Sequence, residues 1–541
     1  MADKFLWWKH GIIYQIYPRS FLDTGLDGIG DLQGIRQKLD YLKDLGVDGL
    51  WLSPINPSPD KDFGYDVADY NGIDPKFGDM ATFDLLLEEA HQRGIHIIMD
   101  LVLNHTSDQH PWFLESASSR DNPYHDWYIW RDPAPGGGFP NNWTSIFSGP
   151  AWKFNEARGQ YFYHMFTPEQ PDLNWRNPKV REAMLAVFKF WLDRGVDGFR
   201  LDVFNAYYKH PELADNPVKP SIHLRPFDRT EHINDVSQPE MIPLVRDIRS
   251  LLDQYPERYV VGETFLADSA QARTYIGEDR LHAGFDYGFT HAPFSAKGFG
   301  KAVQYWDALH GEEAWPNYFF NNHDTKRSAT RFAAGEDDAR LKVLLTLQLA
   351  VRGTPYLYYG EEIGMRDIPV KRSELQDPVG KTYWPLPVGR DGCRSPMQWN
   401  AETYAGFSKV QPWLPVHRNY PVRNVATQER DPQSLLHFYK ELIKLRRVTP
   451  ALHAGTMLLP EVENPALLLI ERHYGAQQAL VVLNFSRKQQ VHLLPYPDNE
   501  TWSMVFSGLG DVRPALKGNV LWIPPYGTVI LTRETGEQPA D

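Results

Sequence analysis

From the N-terminus to about residue 455, short apolar runs alternate with segments whose apolar residues recur every three or four positions. There are eight runs: GIIYQIYP, VDGLWLSP, GIHIIMDLVLNH, VDGFRLDV, YVVGETF, AGFDYGF, NYFFNNHD and TPYLYYGEE. Unbroken apolar character of this kind marks strands buried on both faces. The intervening segments, such as IRQKLDYLKDLG and FDLLLEEAHQRG, have helical period and end on a helix-stopping Gly. Eight strands alternating with helices predict an α/β chain closed into a (β/α)8 TIM barrel. Two stretches break the rhythm. Residues 106–174, between the third and fourth runs, are rich in Trp, Pro, Gly and Asn and too long for a structureless loop, so a small inserted domain is expected there. Asn205 to about Val236 shows little periodicity and should overhang the end of the barrel. Past residue 455 the pattern becomes short alternating segments, LLLIERHY, ALVVLNF, VHLLPY and TVILTR, which predict a C-terminal antiparallel β-sandwich. The expected division is a barrel over 1–105 and 175–455, an insert over 106–174 and a terminal domain over 456–541.

Length changes this picture little, since 541 residues exceed what one core organises and fit a barrel with smaller modules. Charge narrows the partners. With 56 basic and 69 acidic residues the net charge is −13, which argues against nucleic acid and anionic membrane surfaces and leaves a small molecule as ligand. The start, MADKFLWWKHGIIYQ, lacks a basic region followed by a long apolar one, and no stretch reaches the ~18 apolar residues of a membrane span. A soluble, cytoplasmic protein is expected, as a monomer or homodimer. Cys393 is the single cysteine, so no internal disulfide forms. Aromatic residues make up 13% of the chain, suited to packing a large core or to offering flat platforms to sugars.

The chemistry sits at strand ends. Asp100 to His105, Asp202, Glu263 and Asp324 each close an apolar run, and in a (β/α)8 barrel such positions face the active-site mouth. One acid after one strand is more often a helix cap or an ion-pair partner; four in series are not. Glycoside cleavage with retention needs a carboxylate nucleophile and a protonated carboxyl about 5–5.5 Å away. Arg200 lies two positions before Asp202, hence on the same face, where its cation would keep Asp202 ionised. Glu263 follows apolar YVVG, surroundings that would raise its pKa and hold it protonated.

These segments, in this order, resemble the four sequence regions of the α-amylase family, glycoside hydrolase family 13: DLVLNH (Asp100–His105), GFRLD (Gly198–Asp202), GE (Gly262–Glu263) and NHD (Asn322–Asp324). GIIYQIYPRSF, QPDLN (Gln170–Asn174) and GTPYLYYGEEIGM (Gly353–Met365) extend the resemblance over nearly the whole chain. It implies Asp202 as nucleophile, Glu263 as acid/base and Asp324 as the third carboxylate. It further implies His105 and His323 as hydroxyl-binding histidines and Arg200 as the arginine beside the nucleophile. QPDLN, with Gln170, and GYDVADY resemble the oligo-1,6-glucosidase and α-glucosidase branch. There the Asp of GYD and an Arg before PMQW fix the terminal sugar; those positions are Asp66 and Arg394 here. The implied activity is exo-action on a short α-glucoside, with Tyr65 stacking on the glucose and Phe147 either beside it or packing in the insert. A sucrose isomerase or trehalose synthase of the same family is the nearest rival.

Linkage preference is split between two cues. Val203, after the nucleophile position, accompanies α-1,6 preference in the oligo-1,6-glucosidases, whereas the long segment with DNP at Asp215–Pro217 resembles α-glucosidases that act on short α-1,4 substrates and transfer glucose. The longer feature carries more weight. The chemistry requires no cofactor. The loop FLDTGLDGIGD resembles the family's metal loop, which would place Ca²⁺ or Mg²⁺ ligands at Asp23, Asp27, Ile29 and Asp31; Gly25 replaces an expected side-chain ligand, and a plain Gly-rich turn is an equal reading.

Overall fold

A computed structural model describes residues 4–223, 225–333, 335–386, 388–494, 502–508 and 513–535. The barrel strands are β1 (Ile13–Ile16), β2 (Gly49–Leu52) and β3 (His96–Leu101), followed after the insert by β7 (Gly198–Leu201), β8 (Tyr259–Gly262), β9 (Ala283–Gly284), β10 (Asn317–Phe319) and β11 (Thr354–Tyr358). All eight fall within the apolar runs. They pair in parallel in the order β10-β11-β1-β2-β3-β7-β8-β9. Between β9 and β10 no ladder forms among the described residues; the Asn317 side chain crosses the seam to donate to the Gly284 carbonyl at 3.0 Å. Inward-facing Ile13, Trp51, Ile98, Tyr259, Val261, Phe285, Phe319 and Tyr356 fill the lumen, with Trp7 packed against them. The barrel is thus a solid core that can carry chemistry only at its rim.

Outer helices begin at side-chain caps. Asp79 accepts from Thr82 N–H ahead of Met80–Gln92, and Asn177 accepts from Lys179 N–H ahead of Pro178–Asp193, where Pro occupies the first turn at no hydrogen-bond cost. The insert holds a helix, Pro111–Ser118, and a three-stranded antiparallel sheet of β4 (Trp130–Arg131), β5 (Trp152–Asn155) and β6 (Gln160–Tyr163). The aperiodic segment after β7 docks on this insert. Asn142 N–H donates to Asp215 at 2.9 Å and its amide to the Asn216 carbonyl at 2.8 Å, while the Trp143 indole donates to the Ala214 carbonyl at 3.0 Å. DNP is thereby one of the points that tie the overhang down, beside Leu213, to whose carbonyl Asn141 donates at 2.8 Å.

The terminal domain contains β12 (Thr456–Leu458), β13 (Leu467–Tyr474), β14 (Gln477–Asn484), β15 (Gln490–Leu493), β16 (Ser503–Phe506), β17 (Ala515–Lys517), β18 (Val520–Ile523) and β19 (Thr528–Glu534). They form two antiparallel sheets, β12-β13-β14-β19-β16 and β15-β18-β17; Pro495 and Tyr496 of VHLLPY lie outside the described residues. Leu467, Leu469, Leu480, Val482, Val529 and Leu531 face the smaller sheet. Their alternates Leu468, Ile470, Val481, Leu483 and Ile530 join the core of the barrel. The central strands are therefore buried on both faces. Arg472, fully buried on β13, donates to the carbonyls of Ala350, Leu452 and Gly455 and fastens the sheet to the end of the helix Ala339–Ala350 and to the short helix Pro450–His453.

Candidate active site

Register builds the site. Asp100 on β3 pairs with Arg200 on β7, and Leu201 pairs with Gly262 on β8, so one step further Asp202 stands beside Glu263 at the rim. One guanidinium then holds three carboxylates: Arg200 bonds Asp100 at 2.8 Å and Asp202 at 2.7 Å through Nη1, and Glu263 at 2.5 Å through Nη2. Glu263 also accepts from the Tyr287 hydroxyl at 2.9 Å and from Val203 N–H at 3.2 Å. Val203 is held at φ 34° and ψ 39°, a left-handed conformation that a β-branched residue resists and that functional sites tolerate when the surroundings enforce it. That conformation turns its N–H onto Glu263.

Arg200 is one of several influences on the acids it holds. Burial pushes Asp202 well above the usual carboxylate range; Arg200 opposes this, while Glu263 and Asp100 add to it. Asp100 is pushed up to about 6, again by burial against the pull of Arg200. Arg200 thus acts on Asp202 in the expected direction, while burial and the two neighbouring carboxylates act against it.

Asp324 faces the other side of the cavity with its side chain 30% exposed. Burial would raise its pKa, but His323, Arg390, Arg394 and Arg200 outweigh that and bring it well below normal. His323 itself is pushed far down by burial and is neutral, so the arginines carry the effect. Gln15 donates to His323 Nδ1 at 2.8 Å, which leaves the ring proton on Nε2, facing Asp324 at 3.1 Å and the Tyr65 hydroxyl at 2.5 Å. Tyr65 stacks on His323 with ring centroids 5.2 Å apart and donates to Asp100 at 3.1 Å.

Asp202, Glu263, Tyr287, Tyr65, His323 and Asp324 line a cavity of 470 Å³ together with His105, Phe147, Phe166, Gln170 and Phe265, while Arg200 and Asp100 lie buried behind it. His105 forms part of its wall with both ring nitrogens engaged, Nδ1 with Asn104 at 3.1 Å and Nε2 with the Tyr65 carbonyl at 2.9 Å. Gln170 donates to the same carbonyl at 3.1 Å. Phe147 lies in the wall, its ring 5.4 Å from the Arg390 guanidinium.

The expected Asp66–Arg394 floor does not form. Asp66 is fully buried and folds its own loop, accepting from Ser58 at 2.8 Å and from the N–H groups of Lys61 and Asp62 at 2.9 and 3.0 Å. Burial pushes it up to about 6. Arg394 is likewise sealed behind Asp324, donating to it at 2.8 Å and to the His323 carbonyl at 2.8 Å. Their places in the cavity wall are taken by Asp62 and Arg390, joined at 2.6 Å. Arg390 also reaches Asp324 at 3.3 Å and Asp377 at 2.7 Å. Tyr287, inside the sixth apolar run, joins the cavity wall and reaches Glu263 without a strand-end acid to mark it in the sequence.

In the N-terminal loop, Asp23 accepts from the N–H groups of Leu26 and Gly28, Asp27 from that of Ile29, and Asp31 from those of Thr24, Gly25 and Gly34. Among the described residues no group of three or more Asp, Glu, His or Cys side chains could hold a metal ion. These bonds fold the loop into a turn around Gly25. No helix among the described residues is long and apolar enough to cross a membrane.

The family model for the α-amylase catalytic domain matches residues 15–455. The chain is 42% identical over 508 residues to a probable α-glucosidase of Rhizobium meliloti, covering 90% of this chain and 91% of that one. An oligo-1,6-glucosidase of Parageobacillus thermoglucosidasius is 41% identical, with 91% and 92% covered. Among solved structures, the α-glucosyl transfer enzyme XgtA superposes with a TM-score of 0.92 at 39% identity over 98% of this chain and all of that one. Trehalulose synthase MutB from Pseudomonas mesoacidophila MX-45 gives 0.89 at 33% identity, with 98% and 100% covered. Strand order, rim carboxylates and sequence agree, and the chain belongs to the α-amylase family, glycoside hydrolase family 13.

Proposed function

We propose that the protein is a retaining, exo-acting α-glucosidase that releases glucose from the non-reducing end of short maltose-type α-glucosides and transfers part of it to sugar acceptors. The observation that carries this reading is the shared guanidinium. Asp202 and Glu263 are bound to the two terminal nitrogens of the Arg200 guanidinium, a placement compatible with the ~5 Å separation of a retaining pair. In the reacting form Asp202 is the anion that attacks the anomeric carbon, and Glu263 gives its proton to the leaving oxygen. Glu263 then takes a proton from water or an acceptor hydroxyl as that group attacks the glucosyl–Asp202 ester. Asp324, kept ionised by Arg390 and Arg394, grips hydroxyls of the terminal sugar. The Asp62–Arg390 link closes the cavity beyond one residue, which favours chain ends over internal bonds. Phe147, Phe166 and Phe265 make an apolar mouth that lowers water access to the ester and so favours transfer.

Two inversions at one carbon retain configuration, so glucose freshly released from maltose should be the α anomer by proton NMR; β-glucose as first product would remove Asp202 from its role. Running isomaltose in parallel weighs the α-1,6 cue of Val203, supported by relatives named oligo-1,6-glucosidases, against the α-1,4 reading.

The N-terminal loop is read as a turn held by carboxylate acceptors. Millimolar EDTA should leave the melting temperature within about 1 °C of the untreated protein, whereas loss of a bound structural ion would lower it by several degrees.

A further inference from the structure

We propose that Asp377 is a positioning residue for the sugar-binding end of this site, acting through Arg390. Asp377 is fully buried and lies at the start of the short helix Pro378–Thr382. Its Oδ1 accepts from Arg390 Nε at 2.9 Å and Nη2 at 2.7 Å. Its Oδ2 accepts from the backbone N–H groups of Arg390 at 2.8 Å and Gly380 at 3.2 Å. Asp391 in turn accepts from the N–H groups of Gln376 at 2.8 Å and Asp377 at 3.0 Å. The two ends of the segment are pinned together by carboxylates, and Arg390 projects from the pin.

A free arginine carries several rotatable bonds and loses about 2 kcal/mol of rotamer entropy when ordered. Here one edge of the guanidinium is already fixed by Asp377, and the remaining donors are aimed at Asp62 at 2.6 Å and Asp324 at 3.3 Å. Burial works against the charge of Arg390, and Asp377, Asp62 and Asp324 overcome it. Without the charge of Asp377 the guanidinium is left to Asp62 and Asp324 alone, and it swings toward Asp324, spending the carboxylate that should grip sugar. Asp377→Asn is nearly isosteric, but it removes that charge and turns an amide donor toward guanidinium donors.

The kinetic arm rests on the α-glucosidase reading; the chemical arm does not. A grip on the terminal sugar is felt equally in the ground and transition states, so Asp377→Asn should raise KM for maltose about tenfold with kcat within roughly threefold. Asp377→Glu, which restores the charge, should recover most of the loss. A merely structural role would instead lower stability without this KM-specific change or its rescue. Labelling of the full chain with phenylglyoxal, read by peptide mass, reports Arg390 directly: in Asp377→Asn it should react roughly fivefold faster than in the wild type, while fully buried Arg446 and Arg472 stay protected. If Arg446 and Arg472 also react, the variant has opened, and Asp377→Glu decides: protected Arg390 supports the clamp and fast labelling overturns it. Unchanged labelling in Asp377→Asn overturns it too. If the wild type cleaves no α-glucoside, the proposed function falls while the labelling result still decides the clamp.

Discussion

Asp202→Ala is expected to lose on the order of 10⁴-fold or more of kcat on maltose, because a two-step displacement has no route once its nucleophile is gone. Fold loss is not expected to explain it. Asp202 is a desolvated carboxyl whose pKa burial raises, so its removal relieves crowding around Arg200, and the melting temperature should hold or rise. Initial rates with 4-nitrophenyl α-glucoside, together with a thermal melt, check both halves. Retention of near wild-type turnover would defeat the assignment, since no other carboxylate could then be spared the role.

Arg390→Ala should have the next largest cost, in kcat/KM and for a different reason. It strands Asp62 and Asp377 as buried carboxylates and strips one of two arginines from Asp324. Breaking a buried charge pair from one side typically costs about 2–5 kcal/mol, which predicts a fall of roughly 30- to 5,000-fold on disaccharides. Steady-state kinetics on maltose and isomaltose measure it, and a fall smaller than about fivefold would exclude Arg390 from the sugar-binding wall. Starch offers a second view of the same floor. If the Asp62–Arg390 link closes the pocket, the wild type should free only glucose, and slowly; in Arg390→Ala that restriction has no remaining support.

Much of this was legible because burial leaves a strong trace. Strands covered on both faces must be apolar, so each of the eight runs declared itself, and an acid ending such a run has one place to point. Turns leave no such trace. DKDFGYD offers Asp60, Asp62 and Asp66 within seven residues, and which of them faces sugar depends on how the loop folds. Asp66 is drawn inward by the N–H groups of Lys61 and Asp62, which leaves Asp62 free to turn outward. Arg390 and Arg394 raise the same difficulty at the other wall. Both precede PMQW, but Arg394 sits in the single 3-10 turn Asp391–Arg394 and points back at the His323 carbonyl, while Arg390, just before that turn, reaches the cavity. Arg200 differs again: its place beside Asp202 was readable, but its sharing among three carboxylates needed the register of β3, β7 and β8.

The two-sided burial of β13, β14 and β19 bears on how this enzyme is handled as a reagent. Trimming near residue 455 would leave the helices Ala339–Ala350 and Pro450–His453 facing water with the apolar patch that Leu468, Ile470, Val481 and Ile530 now cover. It would also leave the carbonyls of Ala350 and Leu452 without the guanidinium they share. A minimal catalytic fragment is therefore a sticky object, and miniaturisation would have to redesign that wall before it removed anything.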